Sequence, residues 1–505
     1  MKRGLMLFWL ILILPFTMPA SQPVDWNEMD DYIRLWVKDS GLTGLALSVV
    51  KDQEVVFTRA YGYADRSGKK ALTPDALFNI ASCTKAMTAA VAASLVREGR
   101  MNWSDKVTDY VTGFQLADPC VTQALEIEDI LCHRSGLSTF SGDLLWYETN
   151  YSAREIVYRM RFIPLKNRFR VDYGYQNNMY LLAGEIMGVV AGQSWSRLIY
   201  DRIFTPLGME ESRVCGLDIM DGQNVAYPHY RQKRLKISME RPNPAGSVFS
   251  SVEEMTRWIR MLLNEGVWEG RQVLHPEAIK EMWTPRTLMN VTSFWESRTV
   301  NFRSYGLGWI LYDYSGSKIV DHGGGMPGYI SKVTLVPDQG LGLVILTNDM
   351  NYVADGLKYK ILDLYLNDGE TDWVRDFASF YKNNETIEKQ KRAQRSAQRV
   401  RKTRPTRKPK DYTGLYEDRM YGQAVVELAD DTLFLTLIPA RKVFVSEMRH
   451  WHYDTFRIRF MDEFLPEGFV SFRLNSSGRV SGFSIDLPNA DLHFSDLDFE
   501  RVEAQ

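Results

Sequence analysis

Four cysteines in 505 residues are too few to brace a chain of this size, and Cys83, Cys120, Cys132 and Cys215 lack the CxxC spacing of a zinc site. The seven histidines include no HExxH pair, so the sequence offers no ligand set for a catalytic metal, and neither metal nor cofactor is expected. Charge of one sign is missing as well. Lys+Arg number 61 against 63 Asp+Glu, which leaves no global field to draw nucleic acid to the protein. No segment reaches the roughly 20 apolar residues of a membrane-spanning helix, and no repeat of 20–50 residues is visible. What is present is ordinary globular material, 45% hydrophobic and 25% charged. At roughly 150 residues per domain, the length predicts two or three domains.

The chain opens Met1-Lys2-Arg3, runs apolar from Leu5 to Phe16 and reaches small residues at Ala20-Ser21. A basic start, a short apolar stretch and a small-residue exit describe a secretory signal peptide over 1–21. The expectation is therefore an exported protein, periplasmic or extracellular. Met18 sits where a cleavage site usually has a small residue, so an uncleaved anchor is the alternative and the one route to a membrane.

Thr43–Val50 and Glu54–Ala60 read as strands of a hairpin turning at Lys51-Asp52-Gln53. Ala86–Glu98 reads as a buried helix stopped by Gly99, and residues 100–300 as short helices and loops. Strand signals return at Leu307–Tyr312, Lys318–Asp321, Ile330–Val336 and Leu341–Thr347, before a helix at Val353–Leu366. One sheet assembled from both ends of this region, with a helical insertion, predicts an α/β (α+β) architecture. Residues 381–410 turn basic, with Pro405 and Pro409, and read as a solvated linker. From 411 to 505, short alternating strands predict a small antiparallel β-barrel, leaving 22–380 for the main domain.

Three motifs carry chemistry. In Ser82-Cys83-Thr84-Lys85, at a helix start, a hydroxyl and an ammonium three residues apart share a face. Serine needs a base to become a nucleophile, and lysine is one only if its pKa falls far below about 10.4. Tyr175-Gln176-Asn177 adds a phenol able to pass a proton and an amide able to hold a carbonyl. Asp321-His322-Gly323-Gly324-Gly325-Met326-Pro327-Gly328, between two predicted strands, lets a backbone N–H approach a reacting carbonyl. The same glycines match GxGxxG literally. The helix that dinucleotide binding requires is replaced by Pro327 and Tyr329-Ile330-Ser331.

The order Ser-x-x-Lys, Tyr-x-Asn and His-Gly-Gly resembles the serine β-lactamase and penicillin-binding-protein superfamily, in its class C-like branch of esterases, D-aminopeptidases and DD-peptidases. Ile130–Leu137, Pro206–Met209 and Tyr305–Trp309 match further segments of that family, and the resemblance covers roughly residues 25–370. It implies an antiparallel sheet flanked by helices with a helical subdomain. It also implies Ser82 as the acylated nucleophile, Lys85 as its base and Tyr175 as the proton shuttle. Asn177, His322, Gly323, Gly324 and Gly325 are implied to bind substrate, with the Gly325 N–H joining that of Ser82 in an oxyanion hole. His322 stands where class C β-lactamases carry lysine, which argues for an ester or D-amino-acid peptide over a cephalosporin. β-Lactamase or DD-carboxypeptidase activity, or a catalytically weak wall-peptide binder, are the alternatives. Tyr412–Tyr416 and His450–Phe456 resemble a lipocalin-like barrel appended to such hydrolases, which implies a wall beside the site or a surface for oligomerisation.

Overall fold

The computed structural model describes residues 24–220, 222–292, 300–367 and 369–503, and the expected signal segment lies outside them. Its centre is a nine-stranded antiparallel sheet. β1 (Gly44–Lys51), β2 (Glu54–Asp65) and β3 (Lys70–Ala71) come from the start of the chain. β4 (Thr287–Met289), β5 (Arg303–Tyr305), β6 (Ile310–Tyr314), β7 (Ser317–Met326), β8 (Tyr329–Val336) and β9 (Leu341–Thr347) come from much later. The spatial order β4-β5-β6-β7-β8-β9-β1-β2-β3 joins the two sets at the β9–β1 seam, from Leu45 opposite Thr347 to Lys51 opposite Leu341. The β1–β2 hairpin turns through Asp52 and Gln53, both with positive φ, the twist that a two-residue hairpin loop needs.

β1 is buried along almost its whole length because both faces of the sheet are covered. Leu45, Leu47 and Val49 pack toward α1 (Trp26–Asp39) on one side, while Ala46 and Val50 join the larger core on the other. That larger core holds α2 (Thr84–Arg97), α3 (Asn177–Ala191) and α4 (Val252–Leu263). α2 is buried on nearly every side, and its alanines let neighbours approach closely. α5 (Val353–Leu366) packs with α1.

Two elements differ from the sequence reading. β7 does not stop at Asp321; it runs through the glycines to Met326, with Gly323, Gly324 and Gly325 opposite Lys332, Ser331 and Ile330. Ladder pairing needs only backbone, so the missing side chains do not end the strand. α6 (Trp373–Ala397) begins ahead of the expected linker and is exposed beyond its first turns. The basic stretch after it is fastened to the following domain: Arg399 Nε donates to the Trp451 carbonyl, and Thr406 N to Asp454 Oδ1.

Residues from Gly414 to Arg501 form a closed eight-stranded antiparallel barrel. Strands at 414–418, 445–452 and 498–501 join the five expected, and His450 and His452 lie on one of them. The barrel docks on the segment that follows Asp143. Tyr147 Oη donates to Asp462 Oδ2 at 2.8 Å, Tyr151 Oη to the Tyr421 carbonyl at 2.6 Å, and Lys166 pairs with Asp496 at 2.8 Å.

Candidate active site

Ser82 sits on a strained approach to α2. Strand residues 78–79 pair with 249–250, after which Ala81 takes φ +47°, with its N–H donated to Asn79 Oδ1 at 2.8 Å. A non-glycine residue in this region costs on the order of 1–3 kcal/mol and persists only where surroundings enforce it. The short turn Ala81–Cys83 then hands over to α2 and leaves Ser82 partly exposed at its start.

Lys85, one turn further, has no exposed surface. Its Nζ lies 3.2 Å from Ser82 Oγ, 2.6 Å from Asn177 Oδ1 and 2.8 Å from the Ala245 carbonyl. Burial drives its pKa down to about 7, against the pull of the Asp143 charge. The rings of Tyr175 and Tyr180 lie 4.7 and 5.4 Å from the nitrogen. The Ala245 carbonyl is held in place by its loop, where Ala245 N donates to Asn243 Oδ1 and Thr88 Oγ1 to the Pro244 carbonyl.

The Tyr175 phenol lies toward Ser82, and burial raises it well above the ordinary range. Its loop is pinned to residues 133–140. Tyr175 N donates to Thr139 Oγ1, Phe140 N to the Tyr175 carbonyl, and Gln176 N to His133 Nδ1 at 3.1 Å. That last bond leaves the proton of neutral His133 on Nε2. His133 sits among Tyr173, Tyr175, Tyr180 and Tyr305 and supports the loop rather than acting as a base.

The third motif departs from expectation in its histidine. His322 is almost fully buried. Its Nδ1 faces the Gly323 carbonyl at 2.7 Å, an acceptor only, so Nδ1 carries the proton. Nε2 is left to accept from Tyr305 Oη at 2.9 Å. Both nitrogens are thus committed within the protein, and neither donates to a substrate. Burial first, then the Lys85 charge, lower its pKa to about 4. Asp321 offsets this only in part, because successive strand residues point to opposite faces. It faces Lys358 at 2.9 Å and Thr334 at 2.6 Å instead.

The three glycines are not equivalent. Beyond Asp321, β7 has no register partner on β6, and its edge lies beside the Ala81–Cys83 turn. A Cβ on Gly324 would come 2.5 Å from the Ile80 carbonyl and 2.9 Å from Ala81 Cβ, so Gly324 is where the nucleophile turn rests on the strand. Gly323 is partly open and Gly325 exposed, with only Ile330 Cδ1, at 3.9 Å, near its Cβ position. Gly324→Ala is expected to destabilise the protein by about 1–3 kcal/mol, the usual cost of overpacking. Gly325→Ala should leave the thermal melt in place; equal melts for the two variants would contradict this packing.

Cys83 packs rather than reacts. Its buried Sγ meets the His322 carbonyl and Ser331 Oγ, and burial pushes the thiol up to about 12. All four cysteines are free. Among the described residues no cluster of His, Cys, Asp or Glu could hold a metal ion, and no helix is long and apolar enough to cross a membrane.

Sequence reasoning missed three participants. The Ala245 carbonyl leaves no side-chain signal. Tyr305 lay in a matching segment without an assigned role. Asp143 belongs to no motif, yet it is buried and accepts from Asn177 Nδ2 at 2.6 Å.

The beta-lactamase family model matches residues 29–366, and a domain of unknown function (DUF3471) matches 398–501. The chain is 27% identical over 503 residues to the unguisins hydrolase ungD' of Aspergillus campestris, covering 92% of this chain and 90% of that protein. It is 28% identical to penicillin-binding protein 4 of Amycolatopsis lactamdurans, over 64% of this chain and 84% of that one. Among solved structures, the octameric penicillin-binding protein homologue from Pyrococcus abyssi superposes with a TM-score of 0.61 at 19% identity, covering 94% of this chain and all of that one. The D-amino acid amidase of Ochrobactrum anthropi SV3 does so at 0.55 and 22% identity, over 70% of this chain and 99% of that one.

Proposed function

This chain belongs to the beta-lactamase family of serine hydrolases, and from that premise we propose that it is an exported hydrolase opening amides of D-amino acids or short-chain esters through an acyl-enzyme on Ser82. The observation that carries this reading is the setting of the Lys85 nitrogen. Asn177 Oδ1 and the Ala245 carbonyl, both acceptors, take two of its N–H bonds, and the third position points at Ser82 Oγ. In the neutral amine that position is the lone pair. The Ser82 proton passes to it as Oγ attacks the substrate carbonyl carbon.

The N–H groups of Ser82 and Gly325 are assigned to the oxyanion. Tyr175, whose raised pKa keeps it a phenol, relays a proton to the departing amine or alkoxide as the carbonyl bond to it breaks. Water then attacks the acyl carbon and releases Ser82 with its proton restored.

The setting of His322 supports the choice of substrate class. Neutral, and with both nitrogens occupied, it offers no charge to the carboxylate of a cephalosporin. Losing a charged hydrogen bond costs about 1.5–3 kcal/mol, or about ten- to a hundredfold in binding. Steady-state kinetics on a p-nitrophenyl ester, a D-aminoacyl anilide and nitrocefin should give kcat/KM for one of the first two at least about tenfold above the third. A preference for nitrocefin would move the protein to the β-lactamases.

A further inference from the structure

Resting on the reading of Ser82 and Lys85 as nucleophile and base, we propose that Asp143 is a positioning residue, whose buried carboxylate sets the orientation of the Asn177 amide and through it the proton on Lys85. Asp143 is 2% exposed and lies on the turn 143–145, between the Ser135–Phe140 segment and the barrel-docking segment. Asn177 stands between it and the base: Nδ2 donates to Asp143 Oδ2 at 2.6 Å, and Oδ1 accepts from Lys85 Nζ at 2.6 Å.

The two ends of an asparagine amide are nearly equal in size, so shape alone does not say which one faces Lys85. Charge does. An ionised carboxylate only accepts, so the NH2 end must turn to Asp143 and the oxygen to Lys85. A flipped amide would point N–H donors at Lys85 and draw the lone pair away from Ser82. Asp143 therefore decides, at one remove, where the lone pair of the base points.

The groups around Asp143 come from four elements. Lys85 faces it from α2, Asn177 from α3, Trp146 from its own turn, and Asp491 from the barrel loop after 480–486, with His493 close behind. Burial raises Asp143 to about 7, the range to which burial lowers Lys85, so the two titrate as a coupled pair. The Asp143 charge favours protonated Lys85. Its removal must lower the Lys85 midpoint, a change that loss of packing alone would not produce.

The test uses the full-length protein carrying 13Cε-lysine, with the Lys85 resonance identified by its loss in Lys85→Arg. In wild type this resonance should titrate near pH 7. In Asp143→Asn its midpoint should fall by about one unit. The limiting rate of Ser82 acylation by an activated ester should fall about tenfold or more, with its acid limb moving the same way. Asp143→Glu, which keeps the acceptor, should hold the midpoint near the wild-type value and covers the case of an unstable asparagine variant. In an Asn177→Ala background, Asp143→Asn should cause little further loss of rate.

An unmoved Lys85 midpoint in Asp143→Asn, or losses that multiply independently in the double variant, would overturn the proposal. A midpoint that moves as expected in a protein whose Ser82 never acylates would retain the hold of Asp143 on Lys85 and remove the hydrolase reading instead.

Discussion

Incubated with an activated ester or a fluorophosphonate, the wild-type protein should gain the mass of a single adduct, and Ser82→Ala should gain none. The expected loss is complete within detection, because the variant lacks the atom that forms the bond. Other hydroxyls do not rescue it. Ser331 Oγ is buried and donates to the Ile80 carbonyl, and Tyr175 is held as a phenol by burial. Cys83, the nearest thiol in sequence, is buried and pushed up to about 12, far from the thiolate that reacts at neutral pH. An adduct of the same mass on Ser82→Ala, mapped to Cys83 or to any other side chain, would show that the nucleophile has been misassigned. Removing a nucleophile commonly costs a factor of about a million in turnover in serine hydrolases whose residues act as a unit, so substrate turnover should vanish with the adduct.

The parts of the site that were legible in the sequence share one property: their geometry follows from local spacing. Ser82 and Lys85 meet because residues three apart on a helix share a face. Tyr175 and Asn177 straddle the start of α3, so the phenol and the amide enter the site from one short segment. Asp143 was not legible because its hydrogen bond to the site goes to Asn177, 34 residues away, from a turn without regular pattern. His322 lies on β7, one residue past the end of the strand expected at Lys318–Asp321, and was given to substrate. Its tautomer depends on a carbonyl of its own backbone and on Tyr305, neither of which spacing can supply.

The same limit applies to the fold. β9 and α5 fall where their apolar runs lie, at Leu341–Thr347 and Val353–Leu366. The barrel strand 445–452 buries only Ser446 and Met448 and carries an irregularity between His450 and His452, so its alternation is faint. The glycines of β7 show no strand preference at all; pairing with β8 makes them a strand.

The acid limb of the acylation rate should have its midpoint near pH 7 and report the coupled Lys85–Asp143 pair, with Lys85 as the base that it frees. The sign follows from the direction of the shift. Burial lowers Lys85 from its ordinary 10.5 to about 7, so below pH 7 the nitrogen is an ammonium with no lone pair to take the Ser82 proton. Above it the amine is free, and the rate should reach a plateau rather than climb on toward pH 10. His322 cannot be the source of this limb, because burial and the neighbouring Lys85 charge hold it near 4 and neutral throughout. Lys85→Arg tests the assignment most severely. A guanidinium stays protonated at every pH at which the protein is folded, so the variant has no base to offer and the plateau should drop by about a hundredfold or more. The limb at pH 7 should disappear with it. His322→Gln, by contrast, should keep a limb near 7 even if its rate falls through the lost bond to Tyr305. A limb that survives in Lys85→Arg, or one that leaves with His322, would pass the role of base to another group. The arrangement of Asn177 and Ala245 around Lys85 would then need a different explanation.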